Sequence, residues 1–426
     1  MKIFGISAPF TGSGKTTVTL ALLSKLKNST SVKIGPDYID KTLHSSVTGV
    51  NSYNIDRWLQ GPKYRDIFLS SISNFDYAVI EGVMGLYDSG SPMKLNSIYY
   101  FRRMKIPYIL VVDVYKVAES GYYIAKSFIT GLCIGVIINN YAGERHLEMV
   151  SKPFRDHGIK ILGAIPHRKE FELPERHLGL STNVPEEKIR EIAAKVSEFL
   201  NLDFLDDLPE IKSESGDLPI HDETSGKFNI YVAKDSAFSF YYDDSIDALG
   251  KTGRVHYFSP LKNEVPENAD FIYLGGGYPE LFTDELSRNF KTMDYIRDFS
   301  ESGKIIVGEC GGLMYMESGI ETTSGTKKLL GIFDGVVKEN EKLTISYTQM
   351  KVIKDTPIFK KNETVRGHEF HYSSIVDDGE KSLVMEMGKG IDGMDGLISK
   401  NSFGSYSHFS LSRYSRRLLN SISNSK

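Results

Sequence analysis

The chain has 426 residues, of which 40% are hydrophobic and 25% charged, and its formal net charge is -4. This length predicts two or three domains, each able to bury a core of its own. The nearly balanced charge gives no reason to expect a nucleic-acid partner, and no run approaches the roughly 18 apolar residues of a membrane-spanning helix.

Two features bear on the compartment. Cys133 and Cys310 are the two cysteines, which implies no disulfide framework and favours a reducing environment. Lys2 is followed by too short an apolar run for a secretory signal. We therefore expect a cytoplasmic protein without a membrane partner.

The first half of the chain alternates strand-like and helix-like segments. The predicted strands are apolar runs at 3–8, 77–80, 108–112 and 135–138, and the predicted helices cover 15–26, 117–128 and 188–200. Nearly continuous apolar strands separated by helices predict a doubly wound parallel sheet with helices on both faces. We therefore expect an α/β domain over residues 1–200.

The composition changes over residues 201–226, which contain eight acidic residues and a single Lys. Such a segment has little to bury and predicts an interdomain linker. A second alternation then begins, with predicted strands at 228–232, 271–274 and 305–308. The sequence therefore predicts a second α/β domain over residues 227–426.

A glycine-rich turn joins the first predicted strand to the first helix. Residues 9–16 read PFTGSGKT, the context and composition of a phosphate-binding loop, although Pro9 stands where the usual pattern has Gly. Glycines let backbone N–H groups approach phosphate oxygens, and the lysine adds a full charge. The alternative is a strand–helix turn that binds nothing. The residues predicted to bind ATP here are Gly12, Ser13, Gly14, Lys15, Thr16 and Thr17.

Acidic segments follow two further strands of this half. Asp37 lies in KIGPDYID and Glu81 in VIEGVMG. Because ligands of doubly wound sheets bind at the carboxyl ends of the strands, Asp37, Glu81 and the Thr16 hydroxyl are predicted to hold Mg²⁺. The alternative is that both are solvated loop acids, and for Asp40 the two interpretations are evenly balanced. Asn139, at the end of another strand, either contacts an adenine edge or is a simple turn residue.

The second half carries a candidate nucleophile. Cys310 follows a strand and precedes two glycines, a tight elbow near a helix N-terminus that is expected to lower the thiol pKa. Gly276, in the run LGGGYPEL, and Gly311 are predicted to form an oxyanion hole, and His408 to act as the base. The alternatives are a structural cysteine and a surface histidine. Cys133, inside an apolar strand, is expected only to pack.

Residues 366–372, RGHEFHY, concentrate two histidines and a glutamate. Their spacing fits no compact zinc motif, so Glu369 and His371 are expected to support a site rather than bind metal.

Eight separated segments together resemble the cobyrinic acid a,c-diamide synthase family. The N-terminal half is similar to the dethiobiotin synthetase type of P-loop fold, and the C-terminal half to class I glutamine amidotransferases. The segments that carry the resemblance, in chain order, are SAPFTGSGKTTVT, KIGPDYID, VIEGVMGLYD, LPERHLGL, LGGGYPEL, GECGGLMYM, RGHEFHYS and SYSHF.

The resemblance implies a two-site ligase of cobalamin biosynthesis. Glutamine is hydrolysed through a thioester on Cys310, with His408 as base. ATP, with Mg²⁺, converts the a and c carboxylates of a tetrapyrrole into acyl phosphates that ammonia attacks. The implied partners are the tetrapyrrole, ATP and glutamine, and a homodimer is compatible with the sequence.

Some positions depart from the pattern or stay open. Triad amidotransferases usually carry Glu two residues after the catalytic His, whereas this chain has Ser410, so the group that orients His408 is unassigned. Arg176 and His177 belong to a family-like segment to which no role is assigned. The alternative functions are amidation of nickel-sirohydrochlorin and a non-enzymatic P-loop switch with a decayed thiol domain.

Overall fold

The computed structural model describes residues 1–173, 185–211, 227–376 and 379–425. Their contacts divide the chain into two units. The first unit holds the described residues up to 57 and from 62 to 211, and the second holds 58–61 and the described residues from 227 onward. Within the described ranges, no helix combines the length and apolar character needed to span a membrane.

The chain up to residue 211 alternates strands and helices throughout. The strands are β1 (Lys2–Ser7), β2 (Ser29–Ile34), β3 (Tyr53–Ile55), β4 (Tyr77–Glu81), β5 (Tyr108–Asp113), β6 (Cys133–Tyr141) and β7 (Ile161–Pro166). The helices are α1 (Lys15–Lys25), α2 (Ile39–Thr48), α3 (Arg57–Gln60), α4 (Tyr64–Ile72), α5 (Ser97–Met104), α6 (Ser120–Lys126), α7 (Glu144–Asp156) and α8 (Glu186–Ser197). Residues 58–61, at the end of α3, are grouped with the second unit.

The seven strands of the first unit form one parallel sheet in the order β3-β2-β4-β1-β5-β6-β7. The strand runs are apolar because the sheet is buried on both faces, and most of β1, β4 and β5 is inaccessible to solvent. The predicted α/β fold with a doubly wound parallel sheet is confirmed. Because β1 lies between β4 and β5, the loop after β1 emerges at the centre of the carboxyl edge.

Residues 201–211 belong to the first unit rather than to a linker. Phe204 and Leu208 are buried in its core, and the Phe204 ring packs edge-on against Phe4 at 5.3 Å. The Ile211 N–H also donates to the Met1 carbonyl at 2.9 Å. The high content of acidic residues in this stretch suggested a linker, although two of its apolar residues pack into the core of the first unit. The rest of the predicted linker, 212–226, lies outside the described residues, as does 174–184.

The second unit also begins with strand and helix alternation and ends in long antiparallel strands. Its strands are β8 (Asn229–Ala233), β9 (Arg254–Phe258), β10 (Phe271–Leu274), β11 (Ile305–Glu309), β12 (Gly319–Thr322), β13 (Gly325–Lys328), β14 (Val336–Val352), β15 (Thr364–Val376), β16 (Lys381–Met387), β17 (Met394–Ser399) and β18 (Ser402–Ser405). Its helices are α9 (Asp243–Thr252), α10 (Thr283–Leu286), α11 (Phe290–Glu301), α12 (Gly311–Met316) and α13 (Ser415–Asn424).

These strands form one mixed sheet. A parallel part, in the order β9-β8-β10-β11-β18, continues through antiparallel β17, β16 and β14, which also pairs with β15. Apolar side chains on the two faces of the parallel part form two cores. Within that part, β11 ends at the residue before Cys310, and its neighbour β18 ends three residues before His408. The topology therefore brings the two predicted catalytic residues to the same edge.

Candidate active sites

The phosphate loop of the first unit is held by glycines in left-handed conformation. Gly12 has φ 81° and Gly14, the cap of α1, has φ 92°. A Cβ on Gly14 would lie 2.3 Å from the Asn139 side-chain nitrogen, so position 14 has no room for a side chain. Within the loop, the Ser13 hydroxyl donates to the Phe10 carbonyl at 3.0 Å. These contacts fold the backbone tightly around the start of α1.

Asn139 braces this loop from the end of β6. Its Nδ2 donates to the Ser13 carbonyl at 3.0 Å, and the residue is buried. The amide is therefore engaged by the loop backbone in this structure, which differs from the predicted contact with an adenine edge. The turn interpretation does not describe it either, because Asn139 lies within β6 and opposite Asp113 of β5.

Lys15 lies over the loop with its ammonium largely removed from water. Its Nζ is 3.4 Å from the Phe10 carbonyl, a long contact that leaves the charge weakly paired. Burial and the nearby Lys33 charge lower the pKa of Lys15 to about 8, although Glu81, Asp40 and Asp88 oppose the shift. Because the charged form of Lys15 is destabilised in this way, binding of an anion beside it would stabilise it strongly. Thr17 follows in the first turn of α1, half-buried.

Thr16 and Glu81 meet at the carboxyl edge of the sheet. The Thr16 hydroxyl donates to Glu81 Oε1 at 2.8 Å, and Asp40 Oδ1 lies 3.5 Å from the same hydroxyl. The register explains the meeting, because β1 and β4 are parallel neighbours with Ile6 opposite Glu81. Two of the three predicted metal ligands therefore lie together.

A buried lysine pairs with both carboxylates. Lys33 Nζ lies 2.5 Å from Asp40 Oδ2 and 2.8 Å from Glu81 Oε1, and all three side chains are nearly inaccessible to solvent. His44 Nε2 contacts Glu81 Oε2 at 2.7 Å. Burial opposes ionisation of Glu81, but Lys33 and His44 outweigh it and lower the Glu81 pKa. For Lys33, the Asp40 and Glu81 charges outweigh burial and raise the pKa.

Asp37 does not join this group. Its Oδ1 accepts the backbone N–H groups of Ile39 and Asp40 at 2.8 and 3.1 Å, so the carboxylate caps the first turn of α2. Burial and the neighbouring Asp40 charge raise the pKa of Asp37 to about 6. Asp40, one turn further along the chain, is the acid that faces Thr16. Asp40 rather than Asp37 therefore lies beside Thr16 and Glu81.

The oxygen atoms at this point suit Mg²⁺ by their chemistry. Thr16 Oγ1, Asp40 Oδ1 and Glu81 Oε1 are hard donors, and Mg²⁺ is commonly bound by one or two carboxylates together with substrate phosphates. Within the described ranges, no group of three or more His, Cys, Asp or Glu side chains is arranged to hold a metal. These residues therefore fit an ion shared with a nucleotide better than one held by protein alone.

Cys310 occupies a strained turn between β11 and α12. Its φ of 50° and ψ of -103° are unusual for a residue with a side chain. The Cys310 N–H donates to the Ser405 carbonyl at the end of β18 at 2.7 Å, and the Met314 N–H returns to the Cys310 carbonyl at 2.9 Å. The thiol lies 3.4 Å from the Phe370 carbonyl. Strand pairing and the first helical turn therefore fix the elbow.

Glycines let the loop after β10 approach this elbow. A Cβ on Gly312 would lie 1.9 Å from the Leu274 carbonyl, and one on Gly311 would lie 3.0 Å from the Gly277 nitrogen. The Gly276 N–H already donates to the Phe240 carbonyl at 3.3 Å. Gly311 and the glycine loop are thus adjacent as predicted, but Gly277 rather than Gly276 is the residue whose N–H lies beside Gly311.

Deep burial dominates the thiol's acidity. It raises the pKa of Cys310, the Glu280 charge adds to the shift, and the hydrogen bond with the Gly311 N–H only partly offsets them. The expectation that the elbow lowers the thiol pKa is wrong for this structure, because the six-residue α12 cannot offset the loss of water. Formation of a thiolate here requires a base close by.

His408 follows β18 and lies at the same edge as Cys310. Its backbone exchanges hydrogen bonds with His368 of β15, at 2.8 and 3.2 Å, and the two rings are 4.9 Å apart. Burial, with the charges of His368 and His371, lowers the pKa of His408 well below its ordinary value. The ring therefore stays neutral near pH 7 and is able to accept a proton.

The position two residues after His408 supplies no carboxylate to the ring. Ser410 instead donates its hydroxyl to Asp244 at 3.2 Å. Glu309, the residue before Cys310, is the acid that approaches the ring, with Oε2 3.8 Å from His408 Nδ1.

The remaining acidic and histidine pair of the predicted RGHEFHY segment holds backbone. Glu369 accepts the N–H groups of Lys389 and Gly390 at 2.7 and 3.0 Å, and His371 stacks on Tyr406 at 3.9 Å. Both side chains therefore support the surrounding backbone and rings. Arg176 and His177 lie outside the described residues.

Four residues at the two sites were not assigned from the sequence. Lys33 and His44 carried a weak signal, a lysine opening the motif KIGPDYID and a histidine one turn beyond Asp40 on the same helix. Glu309 and Tyr273, whose hydroxyl donates to Glu309 Oε2 at 2.8 Å, carried none: Tyr273 lies within an apolar strand, and Glu309 is the last residue of another.

Two family models cover most of the chain. Residues 6–180 match the CobQ/CobB/MinD/ParA nucleotide binding domain, and residues 229–415 match the CobB/CobQ-like glutamine amidotransferase domain. The cobyrinate a,c-diamide synthase of Saccharolobus solfataricus is 36% identical over 98% of this chain and 100% of its own length. Those of Sulfolobus acidocaldarius and Listeria monocytogenes are 37% and 36% identical, over 97% and 95% of this chain and 98% and 95% of their own. The chain therefore belongs to the cobyrinate a,c-diamide synthase family.

Proposed function

We propose that this protein amidates the a and c side-chain carboxylates of cobyrinic acid in cobalamin biosynthesis, using ATP and the amide nitrogen of glutamine. The observation that carries the proposal is that one chain has both a phosphate loop, with Thr16 bonded to Glu81, and a nucleophile elbow at Cys310. A carboxylate becomes a good electrophile only when its oxygen leaves as phosphate. A ligase of this kind therefore needs both sites.

The second unit supplies ammonia. His408 takes the proton of the Cys310 thiol as the sulfur attacks the side-chain amide carbon of glutamine. The C–N bond then breaks, and the departing nitrogen takes the proton from His408. Ammonia is released, and the glutamyl group remains on Cys310 as a thioester. Water adds to the thioester and releases glutamate and the free thiol. The backbone N–H groups of Gly277 and Gly311 stabilise the oxyanion.

The first unit activates the substrate carboxylate. Its oxygen attacks the γ-phosphorus of ATP, ADP leaves, and an acyl phosphate forms. Ammonia then attacks the acyl carbon, and phosphate departs with the former carboxylate oxygen. Lys15 and the loop N–H groups bind the phosphates. The weakly paired charge of Lys15 is suited to this role.

The metal and the compartment belong to the same proposal. Thr16, Asp40 and Glu81 would hold Mg²⁺, which supplies neutralisation of charge on the phosphoryl group that is transferred. For an ion to reach Glu81 and Asp40, the Lys33 ammonium has to share these carboxylates with it.

Both cysteines are free, which supports a reducing cytoplasm as the place of the reaction.

The test is the mass of the product formed from purified protein, ATP, Mg²⁺ and glutamine. Cobyrinic acid should give a diamide, with two ATP consumed and two glutamates formed for each molecule. Starting from substrate labelled with ¹⁸O in its carboxylates, one label per amide should appear in phosphate. Amidation of nickel-sirohydrochlorin but not of cobyrinic acid would contradict the proposed substrate. Absence of glutaminase and ATPase activity would instead favour a non-enzymatic switch.

A further inference from the structure

The nucleophile and the base of the second unit are linked through Glu309. This residue directly precedes Cys310, and its Oε1 accepts the backbone N–H of Phe409, the residue directly after His408, at 3.2 Å. Its Oε2 lies 3.8 Å from His408 Nδ1. One carboxyl group thus contacts both the backbone that carries the base and the ring itself.

A second hydrogen bond fixes the Glu309 side chain. The Tyr273 hydroxyl on β10 donates to Oε2 at 2.8 Å, and β10 is the parallel neighbour of β11. Both residues are about 1% exposed. Each oxygen of the carboxyl group therefore has a donor, and Oε2 is held on the side of the His408 ring. Burial of a carboxyl group lowers the stability of a protein, so a glutamate at this buried position suggests a functional role.

We propose that Glu309 is the positioning residue that takes the place of the missing triad carboxylate: it holds the His408 ring through Nδ1, so that Nε2 exchanges a proton with Cys310. This rests on the thiol chemistry proposed above. When His408 accepts the thiol proton, both ring nitrogens carry hydrogen and the Glu309 carboxylate stabilises the buried imidazolium.

The electrostatics of the pair predict a pH signature. Burial raises the pKa of Glu309 to about 8, although the Tyr273 and Phe409 hydrogen bonds oppose it. The titratable groups around it are Tyr241, Tyr273, Cys310 and His408. Because His408 stays neutral near pH 7 and Glu309 is anionic only above its own pKa, kcat for glutamine hydrolysis should rise with pH near 8.

The experiment compares Glu309→Gln, Glu309→Asp and Tyr273→Phe in the full-length protein. Glu309→Gln should lower kcat for glutamine hydrolysis by roughly a hundredfold, leave KM nearly unchanged and remove the rise near pH 8. Glu309→Asp should restore part of the rate together with the rise. Tyr273→Phe removes a hydrogen bond that lowers the Glu309 pKa, so the rise should move to higher pH. Ammonium-dependent amidation on the same samples reports that the protein is folded.

Glu369→Gln is the matched control, because Glu369 is also buried, with Oε2 3.7 Å from His371 Nε2. It should keep the rise near pH 8. If Glu309→Gln retains the wild-type rate and profile while His408→Ala is inactive, or if Glu369→Gln alone abolishes the rise, the role of Glu309 is refuted and the thiol chemistry stands. If His408→Ala itself hydrolyses glutamine normally, the proposed thiol chemistry fails instead.

Discussion

The Thr16 hydroxyl donates a hydrogen bond to Glu81 at 2.8 Å and so joins the first turn of α1 to the last residue of β4. The bond fixes the side of the phosphate loop on which the acidic residues lie. It also connects the loop to Lys33 and His44, since both contact the Glu81 carboxylate. The stability of the first unit and its nucleotide chemistry therefore share one set of buried charges.

Lys33→Met should strongly destabilise the first unit. The substitution leaves the Asp40 and Glu81 carboxylates buried without their shared cation, and removing one partner of a buried ion pair typically costs about 3–5 kcal/mol. Urea unfolding should show a lower midpoint for the first unit. Lys152→Met, which removes an exposed contact with Asp156, is the control and should leave the midpoint almost unchanged. Equal midpoints for the two variants would contradict the assigned role of Lys33.

The pH dependence of this cluster has a definite sign. The lowered pKa of Glu81 contributes stability that is present at neutral pH and is lost as pH falls below the ordinary range of a glutamic acid. The raised pKa of Lys33 contributes stability that is lost only in strong alkali. Urea midpoints measured from pH 7 to pH 4 should therefore fall more in the wild type than in Glu81→Gln. Parallel curves would show that Glu81 is not the group responsible.

Asp40→Asn should impair Mg²⁺-dependent ATP use more than Asp37→Asn. Asp40 presents Oδ1 to Thr16, whereas Asp37 caps α2, a task that an asparagine side chain also performs. The measurement is the rate of ammonium-dependent amidation against Mg²⁺ concentration. We expect a higher Mg²⁺ requirement for Asp40→Asn and a nearly normal one for Asp37→Asn. The reverse order would restore Asp37 as the metal ligand.

The fold could largely be predicted from the sequence where the strands are short apolar runs separated by helices. The strand at 271–274 has the predicted bounds, and the first strand lies one residue earlier than expected, at Lys2–Ser7. No strand was predicted over 336–399, where β14 to β17 lie. Their exposed positions weaken the apolar pattern, and a bulge between Glu339 and Thr344 interrupts the pairing of β14 with β15.

The sites were predictable where chemistry follows from a motif and not where it depends on tertiary distance. Lys15, Thr16, Cys310 and His408 were predicted from the residues around them, and the structure places Lys15 and Thr16 at the phosphate loop and Cys310 and His408 after neighbouring strands. Asp37 and Asp40 follow the same strand three residues apart, and only the start of α2 at Ile39 decides which one caps the helix. The burial that raises the thiol pKa of Cys310 arises from elements distant in the chain, so local sequence could not reveal it.

Lys15→Ala should abolish amidation with either glutamine or ammonium, since no acyl phosphate forms. Loss of such a charge contact in the transition state costs roughly a hundredfold or more in rate. Lys25→Ala, at the exposed end of the same helix, is the control and should behave like the wild type. Basal glutamine hydrolysis should persist in both variants. Ammonium-dependent amidation by Lys15→Ala at the normal rate would mean that the loop is not the ATP site.

Cys310→Ser should lose glutamine-dependent turnover and keep amidation from ammonium, because only the supply of nitrogen is removed. Cys133→Ser is the matched control, since burial raises the pKa of that thiol to about 11 and no step uses it. The two activities are measured on the same samples, with iodoacetamide labelling as a count of reactive thiols. A folded Cys310→Ser protein that had lost both activities would rule out the division into two sites.

Gly276→Ala should disable glutamine hydrolysis although it leaves the nucleophile Cys310 and the base His408 chemically unchanged. A Cβ at position 276 would lie 2.3 Å from His408 Cε1 and 3.2 Å from Nδ1, so the ring has to move away from Cys310 or the loop has to shift. A misplacement of about 1 Å commonly costs on the order of a hundredfold in rate. Gly250→Ala is the control, because a Cβ there meets nothing within 4 Å and alanine favours the helix α9. We expect ammonium-dependent amidation to survive in both variants and glutamine hydrolysis to fall only in Gly276→Ala. Full glutaminase activity in Gly276→Ala would show that the loop yields freely, and that contact with Gly276 does not hold His408 in place.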